Sequence, residues 1–314
     1  MSEFSPTEAA LEGLRISRER PRAVLWWWAA YLLVGLLHIG LASTPPFNTL
    51  AAAYPDLLAA SDAARANPTD AAASQHAMRL FGQVLPALAV FAAVALVSQM
   101  VFSTAVLRAV LRPAEQRFGY LRLSMDEVRQ LGLALLIVLA VIGYSFLVSI
   151  ASGLLLGLLA TVLPPALLGL LAFVIIIAAF VYPAVRLSLA PAMTLADGRI
   201  SFLRAWALTQ GRFWPLFGTY ALALAIAAVL WLAVTAPVGL ALKLAGGRTD
   251  PTMITGFKDL AAPLPLIALV VGSLVQALVA AIMTAPIASA FRQIVGRVGA
   301  PPVVRAAATG SPWS

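Results

Sequence analysis

The stretch Leu131–Val185 reads LGLALLIVLAVIGYSFLVSIASGLLLGLLATVLPPALLGLLAFVIIIAAFVYPAV and holds no Asp, Glu, Lys, Arg or His. Its one interruption is Pro164-Pro165. Proline lacks a backbone N–H and restrains the residue before it, so a helix stops there. Each flanking run exceeds the roughly 20 apolar residues that cross a bilayer at about 1.5 Å per residue. The segment Thr161-Val162-Leu163-Pro164-Pro165 therefore reads as the tight turn of a transmembrane hairpin. The first run, Leu131–Leu163, is longer than a bilayer needs, so it tilts or keeps its first turns in the interface.

The rest of the chain agrees with this stretch. Of 314 residues, 61% are apolar and 11% are charged, against about 25% charged in soluble domains. So much apolar surface has no place in a water-soluble enzyme, a disordered chain or a nucleic-acid-binding domain. Five further apolar runs complete six spans: Ala23–Ala42, Leu80–Leu107, Ala166–Leu187, Trp214–Leu240 and Leu264–Phe291, besides Leu131–Leu163. The expected fold is all-α, a polytopic bundle of six transmembrane helices with short cytoplasmic interfacial helices. Residues 1–22 form an N-terminal interfacial helix, 23–291 the membrane domain and 292–314 a partly disordered cytoplasmic tail. Outer loops fall at 43–79 and 241–263, and cytoplasmic loops at 108–130 and 188–213. The larger outer loop, with Pro45-Pro46, Pro55 and Pro68, is expected to hold short helices. In the smaller one Gly246-Gly247 and Asp250-Pro251 mark turns. Gly40-Leu41-Ala42 loosely matches a leader cleavage site, but the long acidic segment before it favours an uncleaved first span.

Charge sets the orientation. Sixteen of the 21 Lys and Arg residues fall in the N-terminal tail, the 108–130 loop, the 188–213 loop with Arg186 at the span end before it, and the C-terminal tail. The acids divide so that this side carries the whole net charge of +8 and the other side none. Positive segments stay on the cytoplasmic side, facing anionic inner-leaflet lipids. Both termini are thus expected in the cytoplasm of a bacterium, with the protein in the inner membrane.

Three cytoplasmic segments look alike. Ser5-Pro6-Thr7-Glu8 and Ser124-Met125-Asp126-Glu127 are capping boxes, and Ser201-Phe202-Leu203-Arg204 lacks the acid. Each reads as a short helix leading into an odd-numbered span. In the third, Phe202, Leu203, Trp206 and Ala207 share one face, suited to the acyl-chain boundary. Three repeats of interfacial helix plus hairpin, or three unrelated connectors, both fit.

From Tyr182 to Tyr220 the chain reads YPAVRLSLAPAMTLADGRISFLRAWALTQGRFWPLFGTY. An Arg-Leu-Ser-Leu-Ala-Pro-Ala run leaves a span, a Ser-Phe-x-x-Ala-Trp helix follows, and Gly-x-Phe-Trp enters the next span. This resembles the six-span membrane domain associated with bacterial glycerophosphoryl diester phosphodiesterases. Val106–Pro113 and Tyr120–Ser124 are similar to the same group. The resemblance implies a membrane module without the catalytic barrel. The His, Arg, Glu and Asp set of that barrel is missing, and neither His38 nor His76 has a His-Arg-Gly context.

Candidate functional residues are few. The chain has no Cys and two His, which removes thiolate chemistry and His-rich metal sites, and no cofactor is expected. No charged residue lies deep in a span, which argues against proton-driven transport. His38, near the outer end of the first span, reads as a neutral hydrogen-bonded side chain, with a titrating gate as the alternative. Gln83, Gln99 and Gln276, with Ser98 and Ser103, either glue helices together or line a polar groove. Ser149, Gly153 and Gly157 form a small-x-x-x-small stripe, read as internal helix packing, with a homo-oligomer contact as the alternative. Trp26-Trp27-Trp28, Trp206 and Trp214 read as an aromatic belt. Together with Arg186, Arg204 and Arg212, Trp206 and Trp214 are candidate contacts for a phospholipid headgroup. Prolines 86, 183, 215, 237 and 286 predict kinks.

The leading functional expectation is a non-enzymatic inner-membrane protein that interacts with lipids, other membrane proteins or its own copies. The alternatives are a flippase-like permease for an amphiphile and, last, a membrane-embedded enzyme. A permease predicts a polar cavity between the glutamines of the second span and Gln276. An enzyme predicts titratable groups drawn together, for example Asp126, Glu127 and Arg204.

Overall fold

The computed structural model describes residues 4–44, 47–67, 70–244 and 257–298, and no strand occurs among them. The helices are α1 (Pro6–Glu19), α2 (Pro21–Ala42), α3 (Phe47–Ala66), α4 (Ala71–Leu111), α5 (Met125–Leu159), α6 (Pro165–Leu187), α7 (Ala190–Asp197), α8 (Phe202–Leu208), α9 (Phe213–Leu244) and α10 (Pro263–Val298). Six of them, α2, α4, α5, α6, α9 and α10, are long and apolar enough to cross a membrane. Most of each apolar window faces outward. Only 6–11% of its residues are buried in five of the six, and 33% in α10. Such surface is tolerable only in lipid, so this is a multi-pass membrane protein.

The hairpin turn follows from its prolines. α5 ends at Leu159, Ala160 caps it, and α6 starts at Pro165, whose missing N–H is harmless in a first turn. Several boundaries differ from the sequence reading. α4 begins at Ala71 rather than Leu80, because the Asp70 carboxylate accepts from the Ala72 and Ala73 amides at 2.9 and 3.2 Å. α3 alone takes up 20 residues of the 43–79 loop, where several short helices are expected. α10 continues to Val298, so the first residues assigned to the 292–314 tail are helical. Pro45-Pro46, Pro68, Gly246-Gly247, Asp250-Pro251 and residues 299–314 lie outside the described residues.

The chain forms two compact units, which share the segment 23–291. Of the described residues, one collects 4–23, 100–227 and 280–298, and the other 24–99 and 228–279.

In the first unit α5 packs on α6 and α7, and α8 on α6 and α7. α7 is almost wholly buried (Ala190, Ala192, Met193, Thr194, Leu195, Ala196), and it ends at Gly198, which adopts φ 63° as a left-handed helix stop. α1 does more than rest on an interface. Its small face, Ala9, Ala10 and Gly13, is buried, and a Cβ on Gly13 would come within 2.5 Å of the Ile282 Cα on α10. The contact is fastened by Glu12, which accepts from Arg15 at 2.7 Å and Arg292 at 3.4 Å, and by the Ser5 amide on Gln293 at 3.2 Å.

The threefold repeat is not matched in its elements. Ser5 caps α1, accepting from the Glu8 amide. Ser124 forms a full capping box with Glu127, but α5 runs unbroken from it into the span, with no separate interfacial helix. The Ser201 hydroxyl caps nothing; it donates to Asp197 at 2.9 Å.

The second unit holds α3, nearly all of α2 and most of α9, with the remaining parts of α4 and α10. Here the tryptophan triplet divides. Trp26 is exposed and Trp27 is buried to 1%, while the Trp28 indole donates to the Val270 carbonyl at 3.0 Å. One member therefore belongs to the packed interior rather than to an aromatic belt.

Candidate functional site: a membrane cavity lined by amides

Three helices of the second unit surround a cavity of about 430 Å³. α2 contributes Tyr31, Val34, Gly35 and His38, α4 contributes Ala95, Ser98 and Gln99, and α10 contributes Ala268, Leu269, Gly272, Ser273 and Gln276. These positions recur every three or four residues, so each helix turns one face to the space. The faces hold small residues where the helices approach. A Cβ on Gly35 would lie 2.8 Å from Leu269 Cδ1, whereas one on Gly272 would meet nothing within 4 Å. A smaller apolar cavity of about 120 Å³ shares Ala268 and Gly272 and is completed by Val234, Thr235, Val238 and Gly239 of α9 with Val271 and Val275.

Apart from Tyr31, the polar side chains of the larger cavity divide into two kinds. Ser98 donates to the Val94 carbonyl at 2.7 Å and Ser273 to that of Val270 at 2.9 Å. His38 Nδ1 is 2.8 Å from the Val34 carbonyl, and its ring stacks on Phe91 at 5.7 Å. These side chains are held by their own helices. The Gln99 and Gln276 amides have no hydrogen-bond partner among the described residues. Each carries two donors and an acceptor, and hydrocarbon satisfies none of them. Gln83, grouped with them in the sequence, does not line the cavity.

The other candidate residues belong to the first unit and do not act together. Arg204 is exposed and pairs with Asp197 at 2.5 Å. Arg212 donates to the Leu208 carbonyl at 3.0 Å. Arg186 is 94% buried, with its guanidinium 4.8 Å from the Trp206 ring and 6.0 Å from that of Tyr182. Trp214 is 75% exposed and meets Phe213 and Phe217 edge-on. Ser149, Gly153 and Gly157 all face outward, and a Cβ on either glycine would meet nothing within 4 Å. The reading of this stripe as internal packing is therefore corrected: α5 meets α6 along another face, where Tyr144 donates to the Ala179 carbonyl and crosses Phe180.

A polar cluster lies at the start of α5; the sequence singles out its Ser124, Asp126 and Glu127 but not the arginines that join them. Arg108 is fully buried at the end of α4. It pairs with Glu127 and, at 3.2 Å, with Asp126, and donates to Ser124 Oγ at 2.9 Å. Asp126 also takes Arg112 at 3.0 Å and Arg129 at 3.3 Å, and Arg112 reaches the Leu195 carbonyl on α7. Burial pushes the Asp126 carboxyl up, but Arg112, Arg108 and Arg122 outweigh it, so its pKa lies below the ordinary value. Glu127 is likewise raised by burial and lowered further by its bonds from Arg108 and Ser124, with a net downward shift. Both acids precede the apolar run that opens at Leu131. Tyr120, with φ 67°, is clamped nearby: it donates to the Pro113 carbonyl and accepts from Arg20 at 2.7 Å. Arg204 is not drawn to Asp126 and Glu127; it pairs with Asp197 instead. Among the described residues no group of three His, Asp or Glu is placed to hold a metal. No family model, curated protein or solved structure matches the chain.

Proposed function

We propose that this is a non-enzymatic protein of the bacterial inner membrane, with both termini cytoplasmic, that binds an uncharged, hydrogen-bonding amphiphile. One observation carries the reading: Gln99 and Gln276 open onto a cavity at membrane depth with their amides unspent. No Asp, Glu, Lys or Arg lines the cavity, so the complementary group is neutral, such as a hydroxyl, carbonyl or amide. The adjoining apolar space through Ala268 and Gly272 suits a hydrocarbon chain. The test is to purify wild type and Gln99→Leu/Gln276→Leu in parallel and identify the lipids that stay bound by mass spectrometry. The wild type retains a neutral polar amphiphile that the double variant loses. Identical lipid profiles would sink the reading.

The same cavity supports a second reading, a permease that moves this amphiphile between leaflets. Vesicles reconstituted with the protein and a fluorescent neutral lipid separate the two. Faster exchange between leaflets that the double variant abolishes favours transport, and retention without exchange favours a binding protein. Kinship with the phosphodiesterase-associated membrane domain is part of this proposal, and the Tyr182–Tyr220 pattern supports it.

A further inference from the structure

Arg186 closes α6 with a buried cation that no anion among the described residues answers. The residue exposes only 6% of its surface, yet among the described residues no carboxylate lies within ion-pair distance of it, and its Nε has no hydrogen-bond partner. Arg108, fully buried, meets two carboxylates. An unpaired buried charge is costly, so Arg186 needs another account. Capping its own helix is not it. The Ser188 hydroxyl takes the Val185 carbonyl at 2.7 Å and the Thr209 hydroxyl takes the Arg186 carbonyl at 2.9 Å. Nearby arginines are spent as well, Arg204 on Asp197 and Arg212 on the Leu208 carbonyl.

What holds the guanidinium is aromatic. Its carbon lies 4.8 Å from the Trp206 ring and 6.0 Å from that of Tyr182, and these two rings cross each other at 5.9 Å. Contact with ring faces stabilises the cation while leaving its in-plane N–H donors unused. A planar fork of donors, fixed by stacking and without a carboxylate, matches the oxygens of a phosphate group. Trp206 is 37% exposed, so one wall of the site reaches the surface.

We propose that Arg186, framed by Trp206 and Tyr182, binds a phosphate group, carried by a phospholipid headgroup or free in solution. The site uses only residues of the first unit, and it stands or falls independently of the amide-lined cavity.

The test uses the full chain in a mild detergent and native mass spectrometry. Phosphatidic acid, phosphatidylglycerol and diacylglycerol with the same acyl chains are added in turn. The two phosphate-bearing lipids form a one-to-one adduct, and diacylglycerol binds on the order of tenfold more weakly or not at all. Arg186→Gln weakens the phospholipid adduct by a similar factor, whereas Arg204→Gln, at a side chain already committed to Asp197, leaves it unchanged. Millimolar inorganic phosphate separates the sources: displacement of the adduct assigns the site to the free anion, and persistence assigns it to the lipid headgroup. Equal binding of diacylglycerol and phosphatidic acid by the wild type would overturn the proposal without recourse to any variant. So would an Arg186→Gln protein that binds phosphatidic acid as the wild type does.

Discussion

Arg108 shows how a charged side chain earns a place in an apolar protein. It is 1% exposed at the end of α4 and ties Glu127, Asp126 and Ser124, the first residues of α5, to that helix. Removing one member of such a cluster strands the others, so Arg108→Ala should destabilise the fold by about 3–5 kcal/mol. Thermal unfolding in detergent measures this, and a variant melting like the wild type would refute the role. The acids give the cluster a pH dependence. Their folded pKa values lie below the ordinary ones, so their stabilisation is full above the unfolded carboxylate pKa and is lost as pH falls through the folded value. The melting temperature should be flat near neutrality and drop below about pH 4, and Glu127→Gln should flatten that acid limb. Gly13 is the steric counterpart. With 2.5 Å available to a Cβ beside Ile282, Gly13→Ala should force α1 from α10 at a cost of about 1–3 kcal/mol. Faster proteolytic removal of α1 would report it.

At the scale of elements, the α5–α6 hairpin and α7 are opposites. The hairpin was legible because two apolar runs and a Pro-Pro pair leave little else for that segment to do. Its outer surface is lipid-facing, with Phe146, Leu154 and Leu158 each more than 60% exposed. Gly153→Leu/Gly157→Leu should therefore shift stability by no more than about 0.5 kcal/mol. A larger loss, read by thermal unfolding, would mean that the stripe is covered, with a second copy as the first partner to test by light scattering. α7 went unseen, although the Asp197-Gly198 stop is a usable signal. Its eight residues form an internal helix held by neighbours, with the Pro191 carbonyl accepting from Gln130 at 2.7 Å. The start of α4 was missed for a similar reason, since Asp70 counts as a cap only once the following residues are known to be helical.

For the whole molecule, the positive-inside count makes a direct prediction. The chain has no cysteine, so single cysteines report position against an empty background. In intact cells Ser61→Cys on α3 should react with a membrane-impermeant maleimide, while Phe118→Cys, 65% exposed beside the Arg108 cluster, should react only after permeabilisation. The reverse pattern would invert the topology.

Composition, charge asymmetry and proline placement were enough to establish a six-span helical membrane protein, because hydrocarbon requires every backbone group to be satisfied within its own helix. Those requirements act along the chain, and a sequence displays them directly. The partners of side chains are set across the chain. Nothing linear says that Gln99 and Gln276 share a cavity while Gln83 does not, that Trp27 is core while Trp26 is surface, or that Arg204 finds an acid while Arg186 finds aromatic rings. Each of those outcomes depends on which helix face meets which, and lipid is as apolar as the helix surfaces it competes with. The apolar pattern therefore marks no inward face, and only tertiary packing selects one.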